Sequence, residues 1–240
     1  MRNKFLLSGC SFTDPTWQTE VPWSVHFSKY YESYIVAKAG MGIKGICTES
    51  LYYLKELENI STLIIIIPDL WRIDIEVDEE TYLCNSMVDL LKAEFGDYNI
   101  ISKATRKWLI SGGLSYQKNA EYSKIFDFLY RHQGFLVLMK EHLRSLKTLQ
   151  DFCKKKNITY YVSAIKDPLD QIDGLNYIKN DIIELLNDVD YNEWFTFDGK
   201  FIDKFLQHDK HPSTNEHKLL CDYIINKTLK QNEVNNAETI

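Results

Sequence analysis

The stretch Thr62-Leu63-Ile64-Ile65-Ile66-Ile67, closed by Pro68, decides the fold class of this chain. It contains only β-branched or apolar residues, so it predicts a strand that is buried on both faces. Strands of this kind occur in parallel sheets that are covered by helices. Because proline has no N–H to donate to a neighbouring strand, we expect the strand to end at Ile67. The fold is therefore expected to belong to the α/β class.

The rest of the chain alternates predicted strands with predicted helices. Short apolar runs predict strands at residues 4–8, 34–37 and 158–162. Apolar residues at helical spacing predict helices at residues 23–31, 45–57, 119–156 with a bend at Gly134, 177–186 and 216–229. This alternation predicts a mostly parallel sheet with helices on both faces, and ligands of such sheets bind beyond the carboxyl ends of the strands.

Length and composition favour one domain. The chain has 240 residues, of which 45% are apolar, enough to fill a sizeable core. We expect a single domain over residues 1–230, with an insertion or lid at about 74–117 and a polar tail at 231–240. The net charge of -6 and the pI of about 5.6 lack the basic surface typical of nucleic-acid binding, so no nucleic-acid partner is expected.

Cysteine usage and the amino terminus indicate a cytoplasmic protein. The five cysteines are an odd number without paired spacing, which favours a reducing compartment. Leu7-Ser8-Gly9-Cys10 matches the pattern at which bacterial lipoproteins are cleaved, but the apolar run before it is far shorter than the roughly 7–15 residues of a signal peptide. We interpret the match as chance. No stretch approaches the ~20 apolar residues of a membrane span, so no membrane partner is expected.

Two short segments supply the residues of a nucleophilic hydrolase. Ser11, in Ser8-Gly9-Cys10-Ser11-Phe12-Thr13, follows the first predicted strand, and Asp209-Lys210-His211-Pro212 lies near the carboxyl terminus. Serine, histidine and aspartate are a nucleophile, a base and a carboxylate that orients the base. Ser11, the glycines at 40–45 and residues 68–72 each follow a predicted strand, so three loops are expected to meet at one rim. The Cys10 thiol is an alternative nucleophile, although a cysteine at a strand end is usually a small buried hydrophobe.

In these blocks the chain resembles the SGNH (GDSL-type) hydrolases. Gly9-Cys10-Ser11-Phe12-Thr13 resembles the first block, with the spelling G-x-S-F-T in place of G-D-S, and Asp209 with His211 resembles the last block, as D-x-H-P in place of D-x-x-H. The resemblance implies a three-layer α/β/α, flavodoxin-like fold. It also implies that Ser11 is the nucleophile, that His211 is the base oriented by Asp209, and that the backbone N–H of a second-block glycine, Gly40 or Gly42, helps to bind the oxyanion.

The third block departs from the family pattern. An asparagine that donates to the oxyanion is expected there, but Ile67-Pro68-Asp69-Leu70-Trp71-Arg72 contains none. An ionised Asp69 only accepts hydrogen bonds, and losing one oxyanion donor typically costs ~10²–10³ in rate. Three explanations stay open. Arg72 supplies positive charge to the oxyanion or to a substrate carboxylate, which we rank first because branches that open with G-C-S-F-T and end with D-x-H-P resemble this chain in carrying an arginine here. Otherwise Asn85 or Asn119 folds into the site, or the enzyme is weak or inactive.

Several further expectations concern ligands. The resemblance implies two-step acyl transfer from a small-molecule or glycan ester to water or to another alcohol, with no cofactor. A non-catalytic binding or assembly protein of the same fold is the alternative. Aromatic faces suit sugar rings, and four tryptophans are candidates for the rim: Trp17, Trp23, Trp71 and Trp108. No metal is expected, because the spacing of the nearby cluster matches no standard zinc signature: His208, Asp209, His211 and His217. The oligomeric state is left open.

Overall fold

The structure is a computed structural model that describes residues 4–16, 20–77, 99–100, 107–110, 124, 127–129, 131–132, 134–172, 175–176, 178–191, 194 and 212–230. Within these ranges lie a five-stranded sheet and a two-stranded sheet. The strands are β1 (Lys4–Gly9), β2 (Ser33–Ala37), β3 (Ile60–Ile67), β4 (Asp74–Val77), β5 (Asn99–Ile100), β6 (Lys107–Ile110) and β7 (Thr159–Ala164).

The larger sheet is parallel in every pair and has the order β5-β2-β1-β3-β7. The strand order reverses direction at β1, since β2 lies on one side of it and β3 on the other. Crevices that bind ligands in open α/β sheets form at such a reversal, beyond the carboxyl ends of the strands. Gly9 at the end of β1 is level with Ala37 of β2 and with Ile66 of β3. The loops that follow these three strands therefore leave the same edge of the sheet, as expected.

Helices cover both faces of this sheet. They are α1 (Trp23–Ser28), α2 (Ile43–Glu56), α3 (Phe135–Lys156), α4 (Pro168–Gln171), α5 (Lys179–Asp188) and α6 (Thr214–Ile225), which continues into a π-helical turn over Asn226–Lys230. α1 packs on α6, whereas α2 packs on α3, which packs on α5. Right-handed crossovers place α1 and α2 on opposite faces, because the chain moves in opposite directions across the sheet before and after β2. The predicted three-layer α/β/α fold with a flavodoxin-like parallel sheet is confirmed.

The core is built around β3, as its composition predicts. Leu63, Ile64, Ile65, Ile66 and Ile67 are each at most 1% exposed, so both faces of the strand are covered. Burying one such side chain contributes about 1.5–3 kcal/mol. β3 is therefore a rigid support for the loop at its carboxyl end.

The prediction that one helix continues through Gly134 was wrong. We expected one helix over residues 119–156 with a bend at Gly134, but α3 begins at Phe135 and Gly134 is its N-cap, with φ -60° and ψ 143°. That extended conformation cannot continue a helix. Other predicted elements shift by a few residues only, because hydrophobic periodicity locates a helix better than it locates its ends.

The segment expected to be an insertion contributes to both sheets. Asp74–Val77 pairs antiparallel with Lys107–Ile110, and Asn99–Ile100 adds a parallel strand beside β2. The remaining residues of 74–117 lie outside the described residues, as does the polar tail. The single-domain prediction stays a prediction.

Candidate active site

Ser11 lies in a tightly held turn directly after β1. The backbone N–H groups of Thr13 and Asp14 both donate to the Cys10 carbonyl oxygen, at 2.9 and 3.0 Å. The hydroxyl of Ser24 donates to the Thr13 carbonyl oxygen at 2.6 Å. Ser11 is 6% exposed. These contacts hold the backbone of the Ser11 turn at the edge of the sheet where the strands have their carboxyl ends.

Packing explains why the first block contains Gly9 and Thr13. A Cβ at Gly9 would lie 2.4 Å from Thr13 Oγ1 and 2.9 Å from the Ile66 carbonyl oxygen, so only glycine fits there. The Thr13 hydroxyl in turn accepts a hydrogen bond from the indole N–H of Trp23 at 3.2 Å. Gly9 and Thr13 therefore shape the turn on either side of Ser11. Cys10, the alternative nucleophile, is fully buried.

The second loop distinguishes the two candidate glycines. Gly42 donates its N–H to Asp74 Oδ1 at 2.9 Å. A single N–H directed at a carboxylate is not available to a substrate. Gly40 is buried and has φ 82°, a conformation that favours glycine, and within the described residues nothing accepts a hydrogen bond from its N–H. Of the two glycines, the geometry favours Gly40 as a donor to an oxyanion.

In the third loop, the side chains of Asp69 and Arg72 differ in their polar contacts. Asp69 Oδ1 lies 3.5 Å from the Lys166 ammonium, an ion-pair contact longer than a hydrogen bond, and both side chains are partly exposed. Nη1 of Arg72 is buried, and no described residue accepts a hydrogen bond from it. The Arg72 carbonyl oxygen lies 2.9 Å from the position that a Cβ on Gly42 would take. The backbone of the arginine therefore lies against the second loop.

Contacts from α3 and α4 hold Leu70 and Trp71 of the third loop in place. Leu70 donates its N–H to Gln171 Oε1 at 2.8 Å. The buried His142 of α3 bonds to the Leu70 backbone, and burial lowers the pKa of His142 to about 4. Trp71 stacks on Phe135, with ring centroids 3.8 Å apart, and is 41% exposed. An aromatic side chain is thus presented to solvent beside Asp69 and Arg72.

Asp209 and His211 lie outside the described residues, but the helix that follows them is firmly placed. Glu20 accepts a 2.8 Å hydrogen bond from the N–H of Thr214, and Val21 donates its N–H to Thr214 Oγ1 at 3.2 Å. Ser213 and Glu216 form a capping box at the start of α6. The ring of His217 lies 6.3 Å from the ring of Phe12, the residue after Ser11. The amino end of α6 therefore lies against the turn that carries Ser11.

Three charged residues near this edge were missed at the level of sequence. Asp14 is 3% exposed and its carboxylate accepts hydrogen bonds from the N–H groups of Thr16 and Ala39, both at 2.8 Å. Asp74 is 4% exposed, and burial raises its pKa to about 6. Burial lowers the pKa of Lys38, opposed by the carboxylates of Asp14, Glu49 and Asp74. Asp14 directly follows the first block, whereas no local pattern singled out Lys38 or Asp74.

Two of the other predicted features are only partly described. Of the metal candidates, His217 alone is described, and the described residues contain no group of three or more ligands able to hold a metal ion.

Trp23 is fully buried in the core and Trp71 is exposed at the rim. Trp17 and the side chain of Trp108 lie outside the described residues, as do Asn85 and Asn119. None of the helices within the described ranges combines the length and the apolar character needed to cross a bilayer.

Comparison with known proteins finds a likeness among solved structures only. No protein-family model matches the sequence, and no curated protein matches it either. Among solved structures, the fold is similar to an acetyl xylan esterase from the rumen bacterium Butyrivibrio proteoclasticus, with a TM-score of 0.39 and 13% identity over 94% of this chain. The chain spans 64% of the length of that esterase.

Proposed function

We propose that this chain is a serine hydrolase that cleaves, or transfers, a short acyl ester through an acyl-enzyme intermediate. The observation that carries the proposal is the position of Ser11, in a rigid turn at the carboxyl end of β1, where the strand order reverses. Ligands of parallel α/β sheets bind at this place. The resemblance of the sequence blocks to the SGNH hydrolases supports the same assignment and stays a prediction.

In the proposed reaction, Ser11 Oγ attacks the ester carbonyl carbon while His211 takes the hydroxyl proton. The carbonyl oxygen becomes an oxyanion, and its collapse breaks the ester bond. The departing alkoxide receives the proton from His211. Water, or an acceptor alcohol, then attacks the acyl-enzyme in the same way and releases Ser11. Asp209 would hold the imidazole in the tautomer that can accept the proton.

The position of α6 supports His211 as the base. His211 precedes Ser213 by two residues, and two residues span at most about 7 Å. Ser213 caps α6, whose first residue Thr214 is bound to Glu20 and Val21. The contact between Phe12 and His217 brings the same helix to the Ser11 turn. The described start of α6, at Ser213 and Thr214, therefore supports the proposal that His211 acts on Ser11.

Gly40 and Arg72 are the proposed partners of the oxyanion. The Gly40 N–H has no acceptor among the described residues, and the Nη1 of Arg72 is buried without one there. Because burying a guanidinium N–H without a partner is costly, this N–H is suited to donate a hydrogen bond to a bound anion or oxyanion. Asp69, in the place of the family asparagine, cannot donate when ionised. Positive charge from Arg72 would replace that missing donor.

An O-acetyl group on a carbohydrate is the proposed substrate class. The supporting observation is Trp71, which is 41% exposed and is held flat against Phe135 beside the candidate site. An aromatic face held in this way suits the apolar face of a sugar ring.

Labelling with a fluorophosphonate, which reacts covalently with activated serines, tests the proposal. Wild-type protein is expected to be labelled, and Ser11→Ala is expected to lose the label while it keeps its circular dichroism spectrum. Cys10→Ala is the matched control, because Cys10 is adjacent and fully buried; it should keep the label. Label that persists in Ser11→Ala would contradict the assignment of Ser11 as the nucleophile.

A second candidate function is a binding or assembly protein that retains the fold without catalysis. Asp69 in place of the oxyanion asparagine is the observation that favours it. The same experiment separates the two, since folded wild-type protein that takes no label and releases no acetate from short acyl esters would favour the binding protein.

A further inference from the structure

Asp74 holds the second loop with both of its carboxylate oxygens. Oδ1 accepts the N–H of Gly42 and Oδ2 accepts the N–H of Gly45, each at 2.9 Å. Gly42 is the N-cap of α2, and Gly45 lies in its first turn. Asp74 itself lies at the start of β4, in the smaller sheet. A strand outside the central sheet thus anchors the loop that contains Gly40.

The two glycines are required by this contact. A Cβ on Gly42 would lie 2.9 Å from Asp74 Oδ2 and 2.9 Å from the Arg72 carbonyl oxygen, and a Cβ on Gly45 would lie 2.9 Å from Asp74 Oδ2. Both approaches are closer than real Cβ contacts allow. Gly42 and Gly45 therefore admit the carboxylate, whereas Gly40 supplies a backbone conformation, φ 82°. One loop contains three glycines for two different physical reasons.

Gly40 lies between two points held by buried carboxylates. On one side, the N–H of Ala39 donates to Asp14 Oδ2 at 2.8 Å. On the other side, Asp74 holds Gly42. The intervening Met41 N–H donates to the Lys38 carbonyl oxygen at 3.1 Å and closes a turn around Gly40. The direction of the Gly40 N–H is thus determined by contacts on both of its sides.

The buried carboxylate of Asp74 carries a cost that helix capping alone does not require. Burial raises its pKa to about 6, opposed by the two glycine N–H groups and by the positive charges of Arg72 and Lys44. The negative charge of Asp74 also acts on Lys38 and Cys47, where it favours the protonated forms. Serine, asparagine or an exposed aspartate would cap a helix without this desolvation. Costly buried charges of this kind are concentrated at functional sites.

We infer that Asp74 is a positioning residue of the candidate active site, which fixes Gly42 and Gly45 so that the Gly40 N–H keeps the direction required to bind an oxyanion. The inference rests on the proposed function. Asp74 does not touch the substrate in this arrangement. Its effect reaches the reaction through the backbone of residues 40–45.

The test compares Asp74→Asn with Asp190→Asn, a carboxylate that also accepts two hydrogen bonds, from Tyr160 and Lys154, but lies beside the amino end of β7. Two quantities are measured on both variants. They are the hydrogen exchange of the peptide covering residues 39–45 and the kinetics of hydrolysis of a short acyl ester. For Asp74→Asn we expect faster exchange and a fall in kcat of about tenfold or more, with KM within about twofold, because a misdirected donor affects the transition state rather than binding. Asp190→Asn should match the wild type in both.

Gly45→Ala provides a second route to the same contact if Asp74→Asn does not fold, since its Cβ would lie 2.9 Å from Asp74 Oδ2, and 2.8 Å from Cγ of Met41, the residue after Gly40. Gly45→Ala should also lower kcat by about tenfold or more and leave KM within about twofold of the wild type. A folded Asp74→Asn with wild-type kcat, or with unchanged exchange at residues 39–45, overturns the positioning role while the labelled wild type upholds the hydrolase. A wild type that takes no fluorophosphonate label overturns the hydrolase and the positioning role together.

Discussion

The carboxylate of Asp14 accepts a 2.8 Å hydrogen bond from the backbone N–H of Ala39, and this contact joins the loop after β1 to the loop after β2. The same carboxylate accepts hydrogen bonds from the N–H and the hydroxyl of Thr16, at 2.8 and 2.7 Å. Asp14 thus links the turn of Ser11 to the loop of Gly40 across the edge of the sheet.

We expect Asp14→Ala to lower both stability and activity. It leaves the N–H of the partly buried Ala39 without its partner, a loss at the lower end of the about 1–3 kcal/mol that a fully buried unsatisfied donor costs. The loss should appear as a lower urea midpoint of unfolding and as a reduced kcat on a short acyl ester. Asp151→Ala is the control, since its ion pair with Lys147 is exposed and such pairs contribute only about 0–1 kcal/mol. Equal urea midpoints for the two variants would contradict the linking role of Asp14.

Gly9→Ala should destabilise the turn of Ser11. The added Cβ would meet Thr13 Oγ1 at 2.4 Å and the Ile66 carbonyl oxygen at 2.9 Å, and overpacking of this kind costs about 1–3 kcal/mol. Gly134→Ala is the matched control, because a Cβ there has no neighbour within 4 Å and φ is -60°. Thermal unfolding measures both. A Gly9→Ala midpoint no lower than that of Gly134→Ala would show that the turn can relax.

Arg72→Ala should lower kcat more than tenfold, in keeping with the ~10²–10³ that one oxyanion contact contributes, while the fold stays intact. Arg72→Lys keeps a positive charge and should recover part of the loss. Single-turnover kinetics on a short acyl ester, with circular dichroism as the check on folding, give the comparison. If the lysine variant is as slow as the alanine variant, then the geometry of the guanidinium matters and charge alone does not suffice.

Trp71→Ala should weaken binding of an acetylated oligosaccharide while sparing a small aryl acetate. Stacking of an aromatic face on a ring contributes about 0.5–1.5 kcal/mol, which corresponds to a KM increase of roughly two- to tenfold. Tyr30→Ala is the control, since Tyr30 is 64% exposed but precedes β2, at the opposite edge of the sheet. Acetate release from both substrates is the measurement. An equal rise in KM for both substrates would argue against a sugar platform.

His142 should make the protein less stable in acid. Burial lowers its pKa from 6.5 in a model peptide to about 4 in the folded chain. Between these values the unfolded chain binds more protons, so the contribution of His142 to stability is present above pH 6.5 and is lost as the pH falls toward 4. The slope approaches 1.4 kcal/mol per pH unit. Urea unfolding from pH 7 to pH 4 should show this fall, and His142→Gln should reduce it; a pH dependence that is the same in both proteins would contradict the assignment.

The order of hydrophobic residues determined the architecture. β3 follows from its continuous apolar run, and the parallel sheet follows from the alternation of strands and helices, because burial patterns are local properties of a sequence. The position of Ser11 on the turn after β1 follows from the same reasoning. Gly134 shows the limit, since apolar spacing on both sides of it suggested one helix and did not reveal the extended N-cap between two segments.

Only the tertiary structure decided what each polar group near Ser11 binds. The sequence offered Gly40 and Gly42 as equal candidates, and they became unequal when Asp74, 32 residues beyond Gly42, was found to take the Gly42 N–H. Asp14 reaches Ala39 across 25 residues in the same way. A hydrogen bond depends on distance and angle within a few tenths of an ångström, and between loops these are set by how the strands pack side by side. Local sequence patterns contain no record of that geometry.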